Sequence, residues 1–189
     1  FIAETGYRYY LKNIIHMDNI DNKGNRDKED QLAGSEKYKI CRMGVKTLKR
    51  SESSHDGVLR IVSCSSVIPL KRISLIIDTL SEISGIIIKW THFGDGSSME
   101  EMKEYARQKL SAKDNIEYRF VGNMPNKAIR EYYGNNLIDL FITTSETEGC
   151  PVSIQEAMAA GIPIIGTNVG EVPLMIQGNG YLLSQNPEP

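Results

Sequence analysis

The sequence predicts an α/β fold, a Rossmann-like parallel sheet with helices on both faces, and three observations carry that prediction. From Val58 onward, short apolar runs alternate with segments whose apolar residues recur at helical spacing. Such a strand-helix series makes right-handed crossovers and therefore a parallel sheet covered on two sides. The composition, 40% hydrophobic and 24% charged over 189 residues, is that of an ordinary globule with one buried core.

Residues 59–64 (LRIVSC) read as a buried strand, followed by Ile73, Ile76, Ile77, Leu80 and Ile83 on one stripe of an amphipathic helix. The alternation continues with a strand over 86–93, a helix over 99–110, a strand over 115–121 and a helix over 127–133. It goes on with a strand over 137–143, a helix over 152–160, a strand over 162–166, a short helix over 172–176 and a strand over 181–183. Trp90 and Met158 read as core, and Gly94 and Gly96 as turn glycines. The first third is different. Residues 5–15 have helical spacing and 38–45 a short strand pattern, but 16–37 are polar and charge-rich and read as a loop. Residues 46–57 read as a linker.

Several functions are excluded or disfavoured at this level. A net charge of -2 gives no electrostatic footprint for nucleic acid. The three cysteines, Cys41, Cys64 and Cys150, are odd in number and widely spaced, which fits free thiols in a cytoplasmic protein. No apolar run approaches the roughly 18 residues of a membrane span. The loop after the first strand, Cys64-Ser65-Ser66-Val67, lacks the glycines of a dinucleotide fingerprint, and neither a P-loop nor an Asp-x-Asp pair occurs. No metal site is predicted. His16, His55 and His92 are scattered, and His92, next to Gly94 at a strand end, is placed to line the cleft but reads first as a packing or solvent-facing residue.

In open parallel sheets ligands bind beyond the carboxyl ends of the strands, which directs attention to the loops at 64–72, 93–97, 122–126 and 144–151. The last of these opens the most informative segment, SETEGCPVSIQEAMAAGIPIIG. Glu148 and Glu156 are separated by seven residues, with Gly149 and Pro151 just after the first. Proline in the first turn starts a helix without losing a needed hydrogen bond, so Glu148 falls on the loop and Glu156 inside the helix. The unpaired N–H groups of Val152 and Ser153 then form a site for a phosphate, and Gly149 lets the backbone approach. A carboxylate accepts hydrogen bonds from vicinal hydroxyls, which suits a sugar at Glu148 and a ribose at Glu156. Taken singly, Glu148 reads first as a solvated loop charge and Glu156 as a surface helix residue with salt-bridge partners; the joint pattern E-G-x-P-x4-E-A-M-A-x-G-x-P is far more specific.

That pattern resembles the retaining, nucleotide-sugar-dependent glycosyltransferases of the GT-B architecture, in the group often called family 4. It matches at Glu148, Gly149, Pro151, Glu156, Ala157, Met158, Ala159, Gly161 and Pro163. Further matches follow the family's order: residues 67–72 (VIPLKR), Gly94-Asp95-Gly96, residues 120–123 (FVGN), Asn168-Val169-Gly170 with Pro173, and Gly178-Asn179-Gly180. The resemblance implies that Lys71, assisted by Arg72, meets the donor diphosphate and Glu148 the donor sugar. It implies Glu156 at the ribose, the backbone of Cys150, Pro151, Val152 and Ser153 at sugar hydroxyls and phosphate, and Gly122, Asn123 and Met124 along the base. The donor expected is a UDP- or GDP-linked sugar, with no further cofactor. The acceptor expected is a glycan or lipid-linked hydroxyl in surface polysaccharide or glycoconjugate synthesis.

Two departures stand out. Ser65-Ser66 occupies the place of the family's usual Gly-Arg pair, with Arg72 as the candidate substitute cation, and Leu174 stands where many members carry a glutamate. The resemblance divides the chain into a remnant of an acceptor domain over 1–45, a linker over 46–57, and a donor domain over 58–189 that stops short of the family's closing helices. On that reading the 189 residues bind nucleotide without transferring sugar by themselves. Peripheral association with the inner face of the membrane would come through the rest of the acceptor domain. Two alternatives stay open: a GT-B nucleotide-sugar epimerase, and a sugar-nucleotide-binding subunit without transferase activity.

Overall fold

Each strand-helix pair inferred from the apolar pattern is present. The computed structural model describes residues 44–46 and 49–189; the helical spacing over 5–15, the loop over 16–37 and most of the strand pattern over 38–45 lie outside them, as do Cys41 and His16. The strands are β1 (Val58–Cys64), β2 (Ile87–Phe93), β3 (Ile116–Gly122), β4 (Leu140–Thr143), β5 (Ile164–Thr167) and β6 (Gly180–Leu183). The helices are α1 (Ile73–Glu82), α2 (Met99–Leu110), α3 (Asn126–Asn135), α4 (Val152–Ala159) and the single turn α5 (Val172–Met175), with a 3-10 turn at Pro69–Lys71 before α1. All six strands are parallel, in the order β3-β2-β1-β4-β5-β6. The order reverses between β1 and β4, and the strands' carboxyl ends open there into a crevice.

The two faces have separate cores. Neighbouring residues of β1 point opposite ways: Ile61 packs with Ile73, Ile76, Ile77, Leu80, Trp90 and Leu110 under α1 and α2, while Val62 packs with Phe93, Tyr133, Phe141, Ile154 and Ile164 under α3 and α4. Burial on both faces is why these strands carry apolar runs and not alternation. The expected stripe on α1 is buried at Ile73, Ile76, Ile77 and Leu80, whereas Ile83 is the C-cap. α1 and α2 are also tied through Asp78, which accepts from Tyr105 Oη (2.6 Å) and pairs with Lys109 (3.0 Å).

The strand expected over 137–143 is shorter than its sequence suggests, and the reason is a single carboxylate. Asp139 accepts hydrogen bonds from Ser54 N (2.6 Å), Ser54 Oγ (2.7 Å) and Arg60 N (2.8 Å). Ile138 N donates to Glu52 O (3.0 Å), so residues 137–139 pair with the incoming chain before β4 begins at Leu140. Residues 49–57, read as a linker, are thereby laid against the domain; Ser51 N also donates to Ala160 O (2.8 Å). From Val45 onward the described residues form one compact unit.

Gly94 and Gly96 do more than turn the chain. The loops after β1 and β2 run side by side, joined by Ser65 N to Phe93 O (3.0 Å), Val67 N to Asp95 O (3.1 Å) and Ser98 N to Val67 O (3.0 Å). A Cβ at Gly94 would lie 1.8 Å from Ser65 O, and one at Gly96 would lie 2.3 Å from Val67 O. Only glycine permits that approach.

His92 lies under the same loop and is fully buried, as a packing residue should be. Trp90 Nε1 donates to Ser63 Oγ (2.9 Å), and Ser63 Oγ lies 2.8 Å from His92 Nδ1. An indole N–H only donates, so Ser63 Oγ accepts from Trp90 and gives its own proton to Nδ1; the ring is then neutral and protonated at Nε2, which is buried and has no hydrogen-bond partner among the described residues. Burial pushes the His92 pKa down from 6.5 to about 4, against a smaller upward pull from the Ser65 backbone. Between those values the unfolded chain binds a proton that the folded one refuses, so stability falls as pH falls through that window. Denaturant titrations should therefore show the parent losing about 2 to 3 kcal/mol more than His92→Gln between pH 7 and pH 4.5. Equal losses would mean that the ring is not held neutral.

Candidate functional site

The crevice at the reversal of strand order is built from two loops, one leaving β1 and one leaving β4. After β1, Pro69 opens the 3-10 turn, and Arg72 ends it in the left-handed region at φ 46°, where few side chains are found. That turn aims Lys71 at the second loop. Lys71 Nζ donates to Glu148 Oε1 at 2.6 Å, and both side chains are largely shielded, at 21% and 12% exposure. Ser145 Oγ donates to the same oxygen at 2.5 Å. The two residues expected to meet the two ends of a glycosyl-phosphate bond are therefore in contact across the crevice.

Arg72 is placed differently from the second cation the sequence suggested. Its Nε donates to Thr144 O (2.6 Å), and its Nη2 donates to Ser145 O (3.1 Å) and Gln185 O (2.9 Å). Its Nη1 donates to Asn186 Oδ1 (3.2 Å). Thr144 Oγ1 returns bonds to Lys71 O and Arg72 O, each at 3.0 Å. The guanidinium thus straps the loop after β4 and the segment after β6 to the start of α1. It fixes the spacing of Lys71 from Glu148 and has few donors left for a ligand.

The loop after β4 is braced from below as well. Thr167 Oγ1, at the end of β5, donates to Ser145 O (2.6 Å), and Glu171 N donates to Gly149 O (3.0 Å). Gly170 packs against the same loop: a Cβ there would sit 1.8 Å from Glu148 O. Pro151 is the N-cap of α4 and not its first residue, and no side chain caps the helix. Val152 and Ser153 stand in this uncapped first turn, next to Cys150, whose Sγ accepts from Gln155 Nε2 (3.0 Å).

Glu156 lies within α4 and is 4% exposed. Its Oε1 accepts from Asn126 Nδ2 (2.5 Å) and from Arg130 Nη1 (3.2 Å), both on α3. The salt bridge of the plainer reading is therefore present, but in the interior and beside the crevice, since α3 begins just beyond the end of β3. Gly122, with φ 83°, accepts from Gly94 N (2.9 Å) and lines a cavity of about 270 Å³ with Asp95, Gly96 and Met99. Asn123 is exposed on the same loop, and Met124 packs partly into the core below α3. Cys64 ends β1 beside Glu156; burial first, then the Glu156 charge, pushes its thiol up to about 12, so it stays protonated at neutral pH.

Sequence reading missed Thr144, Ser145, Thr167, Asn126 and Arg130. The run Thr143-Thr144-Ser145 at a strand end was a usable signal, because hydroxyls buried beside a charged loop need partners.

The profile of the glycosyl transferases group 1 family matches residues 45–188. The chain belongs to this family. Among curated relatives it is 27% identical over 158 residues to the amylovoran biosynthesis glycosyltransferase AmsK of Erwinia amylovora, covering 77% of this chain and 37% of that protein. It is 36% identical over 95 residues to the O-antigen biosynthesis glycosyltransferase WbnH of Escherichia coli, covering 50% and 25%. The chain thus spans well under half of the length of the relatives it matches. Among solved structures, the lipopolysaccharide outer core galactosyltransferase WaaB in its apo form superposes with a TM-score of 0.65 at 23% identity, covering 76% of this chain and 41% of that one. Staphylococcus aureus TarM, in complex with fondaparinux, alpha-GlcNAc-glycerol and UDP, gives 0.65 at 20% identity, covering 84% and 31%. These likenesses bear on the fold, which is that of GT-B glycosyltransferases.

If Arg72 is a strap, its loss costs stability. Arg72→Met takes a donor from the carbonyls of Thr144, Ser145 and Gln185, of which Ser145 O keeps Thr167 Oγ1, and urea denaturation should show a loss of about 2 kcal/mol. A side chain serving only a ligand would leave stability within about 0.5 kcal/mol.

Proposed function

We propose that residues 58–189 are the donor-binding domain of a retaining glycosyltransferase that takes a nucleoside diphosphate sugar. Residues 1–45 then belong to the acceptor-binding part of the enzyme, and 46–57 connect the two. The observation that carries this reading is the Lys71–Glu148 pair at the switch point of the sheet, because it sets a cation and a hydroxyl acceptor where the two ends of a glycosyl-phosphate bond would lie.

Lys71 faces the diphosphate and stabilises the charge that develops as it leaves. The N–H groups of Val152 and Ser153, at the start of α4, add their dipoles to the same charge. Glu148, released from Lys71 as the phosphate takes its place, accepts hydrogen bonds from sugar hydroxyls and orients the ring. Holding the two partners in a fixed geometry lowers the barrier to breaking the anomeric bond. The incoming hydroxyl attacks on the face that the diphosphate leaves, its proton passes to the leaving phosphate oxygen, and configuration is retained. Glu156 meets the ribose, and the base lies along Gly122, Asn123 and Met124, beside the 270 Å³ cavity.

A UDP-linked donor is supported by the UDP in the TarM complex and in that of Anabaena HepE, which superposes at a TM-score of 0.54. Roles in polysaccharide assembly come from the names of AmsK and WbnH, and a glycan or lipid-linked acceptor is in keeping with them.

Calorimetric titration with a panel of nucleoside diphosphates tests the reading. The parent is expected to bind one of them, and Lys71→Ala and Glu156→Ala each to weaken that binding by roughly 10-fold or more, the worth of one charge-assisted hydrogen bond. A parent that binds no nucleotide overturns it.

A further inference from the structure

We propose that Asn126 and Arg130 are positioning residues that clamp Glu156 and make the site dependent on a ribose hydroxyl. The inference rests on the assignment of Glu156 to the ribose, and three features of the clamp extend it.

First, Glu156 is a buried acid whose charge is compensated from another element. A carboxylate at 4% exposure is costly unless paired, and Arg130 Nη1 lies 3.2 Å from its Oε1. Second, the pair on α3 is self-braced: Asn126 and Arg130 are one helical turn apart, and Arg130 Nη1 also donates to Asn126 Oδ1. Both Asn126 Nδ2 and Arg130 Nη1 donate to the same carboxylate oxygen, Oε1. Among the described residues no hydrogen bond is made to Oε2, so one oxygen is held and the other is left for a ligand. Third, Asn126 is the first residue of α3, directly after the loop of Gly122, Asn123 and Met124. The clamp therefore couples the loop proposed for the base to the acid proposed for the ribose, and a nucleoside would touch both.

A fixed acceptor discriminates more sharply than a mobile one. If Glu156 were free to swing, loss of a ribose hydroxyl would be made good by water or by another rotamer. Held by Arg130 and Asn126, Oε2 stays in place and is left unpaired by a deoxy analogue, which is the condition for strong rejection of a ligand lacking a hydroxyl.

Titrating UDP and GDP, each beside its 2′-deoxy and 3′-deoxy counterparts, into the full 189-residue chain tests this. The parent should prefer the ribonucleotide over its poorer deoxy analogue by about 10- to 100-fold. In Arg130→Met that ratio should fall to within about 3-fold, through weaker binding of the ribonucleotide and little change in the deoxy analogue, and Arg130→Lys should recover part of it. Asn126→Ala, at an exposed helix start, gives a second reading should Arg130→Met fail to fold, and its ratio should fall in the same direction. A general loosening of the fold would weaken all the ligands together and leave the ratio intact. An unchanged ratio in the folded clamp variants, with Glu156→Ala abolishing it, overturns the clamp and leaves the donor reading standing. A parent that binds ribo and deoxy forms alike removes the ribose assignment and the clamp with it, and a parent that binds neither nucleotide removes the donor reading as well.

Discussion

The structure depends on the short parallel pairing of β1 with β4, where Ile61 faces Leu140 and Val62 faces Phe141. At every other position in the sheet a strand's neighbour belongs to the same half, and a helix returns over the join. Here the chain leaves β1 in one direction and β4 in the other, so the two loops face each other across an uncovered crevice. What keeps them in register is local and reciprocal. Arg72 reaches over to the carbonyls of Thr144 and Ser145, and Thr144 reaches back to the carbonyls of Lys71 and Arg72. Two residues that touch a ligand on the proposed reading, Lys71 and Glu148, are thus each adjacent in sequence or space to a residue that only holds the frame.

The same economy governs the charges. Each glutamate of the site is neutralised by a cation from a different element: Glu148 by Lys71 from the turn after β1, Glu156 by Arg130 from α3. Pairing across elements makes the placement of the acids a consequence of folding, since neither pair can form until both elements are packed. The pairs differ in what surrounds them. Lys71 and Glu148 keep some exposure and open on the crevice, where a phosphate can compete for the lysine. Glu156 is enclosed, and Arg130 and Asn126 are bonded to each other as well as to it, so this contact is built to persist.

How far the sequence reveals this differs by layer. Strands and helices were legible because burial on two faces demands apolar runs, and burial on one face demands a stripe; β1, β2, α1 and α2 fall within a residue or two of the pattern. The start of β4 was not, because the apolar run 137–143 does not reveal that Asp139 would bind Ser54 and Arg60 across the sequence. Glu148 and Glu156 were legible from their spacing about the helix start, and Lys71 from the family resemblance alone. Arg130 was not, since a lone arginine on an amphipathic helix looks like any solvated charge, and its meaning arises only when α3 is laid against α4. Gly94 and Gly96 were seen as turn residues; that their missing Cβ atoms admit the backbone of Ser65 and Val67 is a property of two loops together, which one loop's sequence cannot carry.

One departure from the family's pattern acquires a physical meaning here. Ser65-Ser66 stands in the place of the usual Gly-Arg pair, and the natural compensation was the extra cation at Arg72. Arg72 Nε and Nη2, however, are bonded to backbone carbonyls, and exchanging those bonds for a phosphate would release the loop that holds Ser145 and Glu148. On the proposed reading the diphosphate then relies on Lys71 and on the neutral N–H donors at the start of α4. Hydrogen bonds from neutral donors are roughly half as strong as charge-assisted ones. A site with one committed cation therefore leans more heavily on its other contacts for affinity, and on this reading the nucleoside end, where Glu156 is clamped and Gly122 borders its own cavity, is where those contacts are found.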